Sequence, residues 1–161
     1  MPRLPLALQS ALCGLTAAFG LTGPTLAGND AAALRTPLLP AYVQECSACH
    51  LAYPPGLLPA ASWQRVASHL SRHYGTDASL DPGAAKEISA WLLAHAGTSK
   101  RAGEPPPDDR ITRSAWFVRE HDEVPTATWK LPAVKSPAHC AACHPRAEQG
   151  SFSERDVRIP R

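Results

Sequence analysis

Apolar residues recur at helical spacing in two stretches of the chain. Trp63, Val66, Leu70 and Tyr74 follow one another three or four positions apart and predict one apolar helix face. Ser62 is the expected N-cap of that helix, and Gly75 closes it after Tyr74. In the second stretch Ile88, Trp91, Leu92 and His95 sit at i, i+3, i+4 and i+7, the pattern of a buried face. Asp81 as N-cap, Pro82 at the first helical position and Gly97 beyond the end mark its limits. A shorter helix, started by Pro37 or Pro40, carries Tyr42 and Val43 into Cys46, with Tyr42 and Cys46 on one face.

Prolines separate these elements. Pro54, Pro55, Gly56 and Pro59 exclude a helix and predict a stiff loop. Residues 97–110 lose the apolar period and become proline-rich and charged, so a linker is expected there and a unit boundary near 105. The remaining part has little regular structure. Ser114 can cap a short helix through Trp116, Phe117 and Val118 to His121, and Ser136-Pro137 opens a turn leading to Cys140. The tail from Ser151 to Arg161 is polar and Arg-rich.

The first 27 residues have the pattern of an export signal. Arg3 is the positive region, Leu4 to Leu21 is mostly apolar, and Thr25-Leu26-Ala27 is a small-residue cleavage site. Gly14, Gly20, Gly23 and Pro24 interrupt the run and argue against a retained membrane helix. Cys13 lies inside it and is expected to leave with it. Without Arg3 the chain carries 15 basic residues against 14 acidic ones, so nothing in its charge points to nucleic acid.

The four other cysteines all belong to two copies of one motif. Cys46-Ser47-Ala48-Cys49-His50 and Cys140-Ala141-Ala142-Cys143-His144 both read C-x-x-C-H. Two thiols three positions apart on one helical turn can each form a thioether to a haem vinyl group, and the histidine that follows can ligate the iron. A zinc site made from both pairs would join segments about ninety residues apart and leave both histidines unexplained. A thioredoxin-like pair requires a βαβ context that this chain lacks, and cysteines three apart rarely form a disulfide. The motifs therefore predict two covalently bound haem c groups. Each supplies apolar core that a segment of about fifty residues does not provide by itself.

The remaining ligand positions are narrowed by counting. The single methionine is Met1, in the export segment, so histidine–methionine ligation is excluded. Beyond the proximal candidates His50 and His144, the available histidines are His69, His73, His95, His121 and His139. His73 is favoured for the first haem, from its place near the apolar edge of its helix and beside Gly75. His95 is its rival, on a face expected to be buried, and His69 is expected to face solvent. His121 is favoured for the second haem because Trp116 and Phe117 can wall a pocket beside it. His139 abuts Cys140 and is badly placed for the distal face of the same haem. A backbone carbonyl of the loop after His50 is expected to accept from that imidazole's Nδ1–H. Arg146, Arg155 and Arg158 are read as a solvated basic face rather than as propionate partners.

Several features together resemble the dihaem cytochrome c family that partners a high-spin haem protein and a membrane cytochrome b. They are Glu45-Cys-Ser-Ala-Cys-His50 with its Tyr-Pro-Pro-Gly loop, Ser62-Trp63, His73-Tyr74-Gly75, Trp116-Phe117 with His121, Cys140-Ala-Ala-Cys-His144-Pro-Arg-Ala-Glu and Arg158-Ile-Pro-Arg161. They span residues 40–161. The resemblance implies a mainly α protein with a class I cytochrome c-like domain over 28–104 and a small, irregular haem-centred domain over 105–161. It also implies low-potential bis-histidine haems, with His73 and His121 as distal ligands.

Two functional classes follow. Six-coordinate irons leave only electron transfer, between a membrane cytochrome or quinol source and a soluble redox partner in the periplasm, with no small-molecule substrate. One open or labile iron would instead allow catalysis on peroxide, nitrite or a sulfur compound.

Overall fold

The computed structural model describes residues 34–98 and 102–161. The expected export segment, including Cys13, lies outside them. Among the described residues the chain is helical and turn-built, with no strand and one isolated bridge between His73 and Thr76. No described helix is long and apolar enough to cross a membrane.

Helix α1, Pro40–Cys46, starts at Pro40, whose fixed φ suits the first helical position. The Pro54–Pro55 loop follows. Its prolines bar an α-helix but allow one 3₁₀ turn, Pro55–Leu57, which is wholly buried. Helix α2, Ala60–Ser68, is capped by Pro59 rather than by Ser62. The Pro59 carbonyl accepts from the backbone N–H groups of Ser62 and Trp63, at 3.0 and 3.2 Å, so Ser62 lies buried inside the first turn.

Helix α2 also ends earlier than its apolar period predicts. The Ser68 hydroxyl and His69 Nδ1–H both donate to the Arg65 carbonyl, at 3.0 and 2.8 Å. That carbonyl is the helical acceptor for the His69 backbone N–H, which turns instead to Val66 at 3.2 Å. The chain tightens into a 3₁₀ turn, Leu70–Arg72, and then reverses through Tyr74 and Gly75, whose φ values are +50° and +98°. His73 therefore stands outside the helix, at a bend. The expected apolar face fades accordingly: Trp63 is buried, Val66 and Leu70 are half-buried, and Tyr74 is 44% exposed.

Helix α3, Pro82–Ala94, has the expected limits. The Asp81 carboxylate accepts from the N–H groups of Gly83 and Ala84, at 2.9 and 3.1 Å. Ile88 and Leu92 are buried, and Trp91 packs on the core from its edge. The rings of Tyr42 and Trp91 meet at 5.4 Å, where α1 and α3 come together. His95 departs from expectation. It ends the helix as its C-cap and is exposed.

The core gathers Tyr42, Ala52, Leu58, Trp63, Ile88 and Leu92. Its two polar tips find backbone acceptors. The Tyr42 hydroxyl donates to the Tyr53 carbonyl at 3.0 Å, and Trp63 Nε1–H to the Pro55 carbonyl at 2.7 Å.

Within the proline-rich stretch, residues 102–110 are docked rather than loose. Ala102 is buried, and Arg65 binds the Asp109 carboxylate with two hydrogen bonds, at 2.8 and 2.6 Å. The Tyr74 hydroxyl reaches the carbonyls of Asp108 and Asp109, and the Arg110 guanidinium lies 4.1 Å from the Tyr74 ring centre. Helix α4, Ala115–Glu120, is capped by Ser114, whose hydroxyl accepts from the Phe117 N–H at 3.3 Å. Beyond α4 the chain is a series of 3₁₀ turns, among them Thr128–Lys130, Cys140–Ala142, Ala147–Gln149 and Glu154–Asp156.

Candidate haem sites

The first C-x-x-C-H motif straddles the end of α1. Cys46 is the last helical residue, and Cys49 and His50 lie in the turns beyond it, not on one continuous helical turn as the spacing suggests. The His50 ring is set by two neighbours. Its Nδ1–H donates to the Leu51 carbonyl at 2.7 Å, and its face lies against Tyr53, ring centres 5.0 Å apart and planes 18° apart. The carbonyl expected from the loop is thus supplied by the very next residue. It fixes the tautomer and leaves Nε2 free to bind a metal.

Facing His50 is His73. Their ring centres are 6.0 Å apart and their planes differ by 24°. The bend that removes His73 from α2 turns its ring toward His50, and Tyr74 packs edge-on against it at 4.9 Å. Burial, then His50, then Arg110 hold the His73 imidazole below its ordinary pKa, which favours the neutral, ligating form.

The second motif sits on the 3₁₀ turn Cys140–Ala142, with Cys143 as its cap. The His144 backbone N–H donates to the Cys140 carbonyl at 2.8 Å, which holds the histidine beside the cysteine pair. His121, just past α4, faces it with ring centres 6.1 Å apart and planes at 73°. The His121 Nδ1–H donates to the Phe117 carbonyl at 2.8 Å, and the Phe117 ring stacks on the imidazole at 4.0 Å. Burial, then His121, lower the pKa of His144. The tail returns to this site, since the Arg158 backbone N–H donates to the Cys143 carbonyl at 2.9 Å.

Other histidines stand apart from both pairs. His69, His95 and His139 each turn Nδ1 to a nearby backbone carbonyl, of Arg65, Trp91 and Val134. His69 and His95 are exposed. Of the arginines read as a basic face, all three are exposed and Arg146 pairs with Asp156 at 3.5 Å.

Three aromatic residues beside these pairs are not evident from sequence. Tyr53 stacks on His50, Trp129 lies 6.0 Å from His121, and Phe152 lies 5.5 Å from His144. Trp129 lies in a 3₁₀ turn and Phe152 outside any helix, and neither belongs to an apolar period that would mark it in the sequence.

The donor set suits covalently attached haem. Each cluster holds two free thiols and two imidazoles, and a metal ion can span imidazole centres at this distance. Among the described residues no group of three or more His, Cys, Asp or Glu side chains converges as a cage for a bare metal ion. Burial pushes the thiols of Cys46 and Cys140 up to about 11, so both are protonated at neutral pH before the group is attached.

These features define a c-type cytochrome with two attachment sites. A family model described as dihaem cytochrome c matches residues 42–152. The diheme cytochrome c of Shewanella baltica OS155 is 39% identical, over 75% of this chain and 92% of that one, with a TM-score of 0.66. Two structures from Rhodobacter sphaeroides, a diheme cytochrome c and one described as DHC, are each 41% identical. They cover 71% and 72% of this chain and 96% and 98% of theirs, with TM-scores of 0.64 and 0.63. A comparison with curated proteins found no match. The chain belongs to the dihaem cytochrome c family and carries two covalently bound haem c groups, an equipment for electron transfer.

Proposed function

We propose that both haems are bis-histidine and that the protein only passes electrons. His50 and His73 are the axial pair of the first iron, and His144 and His121 of the second. The observation that carries this reading is the ring-centre separation of 6.0 Å in one pair and 6.1 Å in the other. A metal–imidazole bond of about 2 Å, with the ring centre about 1 Å beyond the nitrogen, separates two opposed imidazole centres by about 6 Å. Cys46, Cys49, Cys140 and Cys143 carry the thioethers.

The haem supplies a one-electron couple, and this chain sets its potential. Two imidazoles and no thioether ligand favour the ferric state and a low potential. Carbonyl acceptors on His50 and His121 strengthen their donation to iron. With both axial positions filled, no iron binds a substrate. Electrons then pass from a membrane cytochrome b or quinol source to a soluble high-spin haem protein. The setting is the periplasm, reached by the export segment with cleavage near Ala27. Residues 28–104 form a class I cytochrome c-like unit and residues 105–161 a smaller one organised by its haem. Redox titration tests the ligation: both midpoints fall below zero against the standard hydrogen electrode, and a midpoint well above zero contradicts it.

A further inference from the structure

Tyr53 joins the first haem site to the segment that leads into the second. Its ring lies against the proximal His50, and its hydroxyl donates to the Ala138 carbonyl at 2.8 Å, 85 residues further along the chain. Ala138 is two residues before Cys140, the first attachment point of the second haem. The Tyr53 backbone is held as firmly as its side chain. Its carbonyl accepts from the buried Tyr42 hydroxyl, and Ala52, Pro54 and Pro55 on either side are buried. Pro54 also restricts Tyr53 to an extended backbone. The phenol O–H is the donor of the hydrogen bond to Ala138, as expected of a tyrosine at neutral pH.

We propose that Tyr53 is the residue that couples the two haems. It holds the second attachment turn at a fixed position relative to His50, and it provides a route of one ring contact and one hydrogen bond between them. The step it serves is the exchange of one electron. With both haems bound, one iron would be oxidised as the other is reduced, so the electron balances within the protein. No bond breaks, no proton moves, and Tyr53 itself is neither oxidised nor deprotonated. This role deepens the electron-transfer reading and rests on it.

The test compares the dihaem protein with its Y53F and Y53L variants. Intramolecular electron exchange is followed after flash reduction by one equivalent, and hydrogen exchange is followed at the amides of residues 138–144. Loss of a hydrogen bond of this kind lowers the ratio of docked to undocked segment by about fivefold. Y53F therefore slows inter-haem exchange by up to about fivefold and speeds amide exchange in 138–144, with each haem's absorption spectrum unchanged. Y53L, which also loses the ring contact, is slower still. Y53F keeps the ring and carries the test if Y53L does not mature. Wild-type inter-haem rates in Y53F overturn the proposal, even if its melting temperature falls, because a purely structural role lowers stability without moving that rate. Failure of the ligation reading shows separately, as a high-spin band in the wild-type spectrum.

Discussion

The imidazoles of His121 and His144 meet at 73°, whereas those of His50 and His73 lie within 24° of parallel. This difference is spectroscopically visible if each pair shares an iron. Near-parallel ring planes split the two iron orbitals that interact with the ligand π-systems, and near-perpendicular planes leave them almost degenerate. The diferric protein is expected to show two unlike low-spin signals by electron paramagnetic resonance, one rhombic and one strongly anisotropic. Two identical signals would contradict the geometry.

Removing a distal imidazole should open one iron and leave the other intact. His73→Ala is expected to make the first haem high-spin and able to bind carbon monoxide when reduced, and His121→Ala to do the same to the second. His69→Ala and His95→Ala should leave the spectrum unchanged, since both side chains turn Nδ1 to a carbonyl of their own helical turn and face solvent. Absorption spectra of the four variants check this directly.

Gly97 is fixed by crowding rather than by backbone conformation. Its N–H donates to the Leu58 carbonyl at 2.9 Å, and a methyl group added to it would overlap the Ala102 side chain and the Gly56 carbonyl. Gly97→Ala should cost about 1–3 kcal/mol of stability, the usual cost of overpacking a closed contact. Denaturant unfolding of the reduced and oxidised protein measures it.

The Asp109 carboxyl is held below its ordinary pKa chiefly by its hydrogen bonds to Arg65. A depressed folded-state pKa contributes stability that is present above the unfolded value, about 3.8–3.9, and is lost as pH falls through the folded one. Asp109→Asn should therefore lower the melting temperature modestly at pH 7, as expected for a solvent-screened pair. The difference from wild type should stay level down to about pH 4 and shrink below it. A gap that widens on acidification would contradict this sign.

The ease of reading each element from sequence follows from how local its cause is. Helix α3 was legible because Asp81, Pro82 and the Ile88–Leu92 spacing are local signals that the tertiary structure reinforces. The apolar period of α2 runs on past the end of the helix, which is set where Ser68 and His69 take the Arg65 carbonyl for their own side chains. The Ile88–Leu92 period places His95 on a buried face, but the helix ends at Ala94 and His95 is exposed as its C-cap. The covalent sites were legible because thioether attachment demands a fixed cysteine spacing. The facing of His73 by His50 was expected from its place beside Gly75, but the ring contact depends on a bend with no periodic signature. Tyr53, Trp129 and Phe152 were not legible as neighbours of the haem ligands, since long-range packing alone brings them there.

The most direct test of two bis-histidine haems is an absorption spectrum of the matured protein, oxidised and dithionite-reduced, with and without carbon monoxide. Two low-spin haems whose reduced spectrum is unmoved by carbon monoxide are the predicted result. A high-spin band, or a carbon monoxide adduct at either haem, would contradict it and identify an open iron.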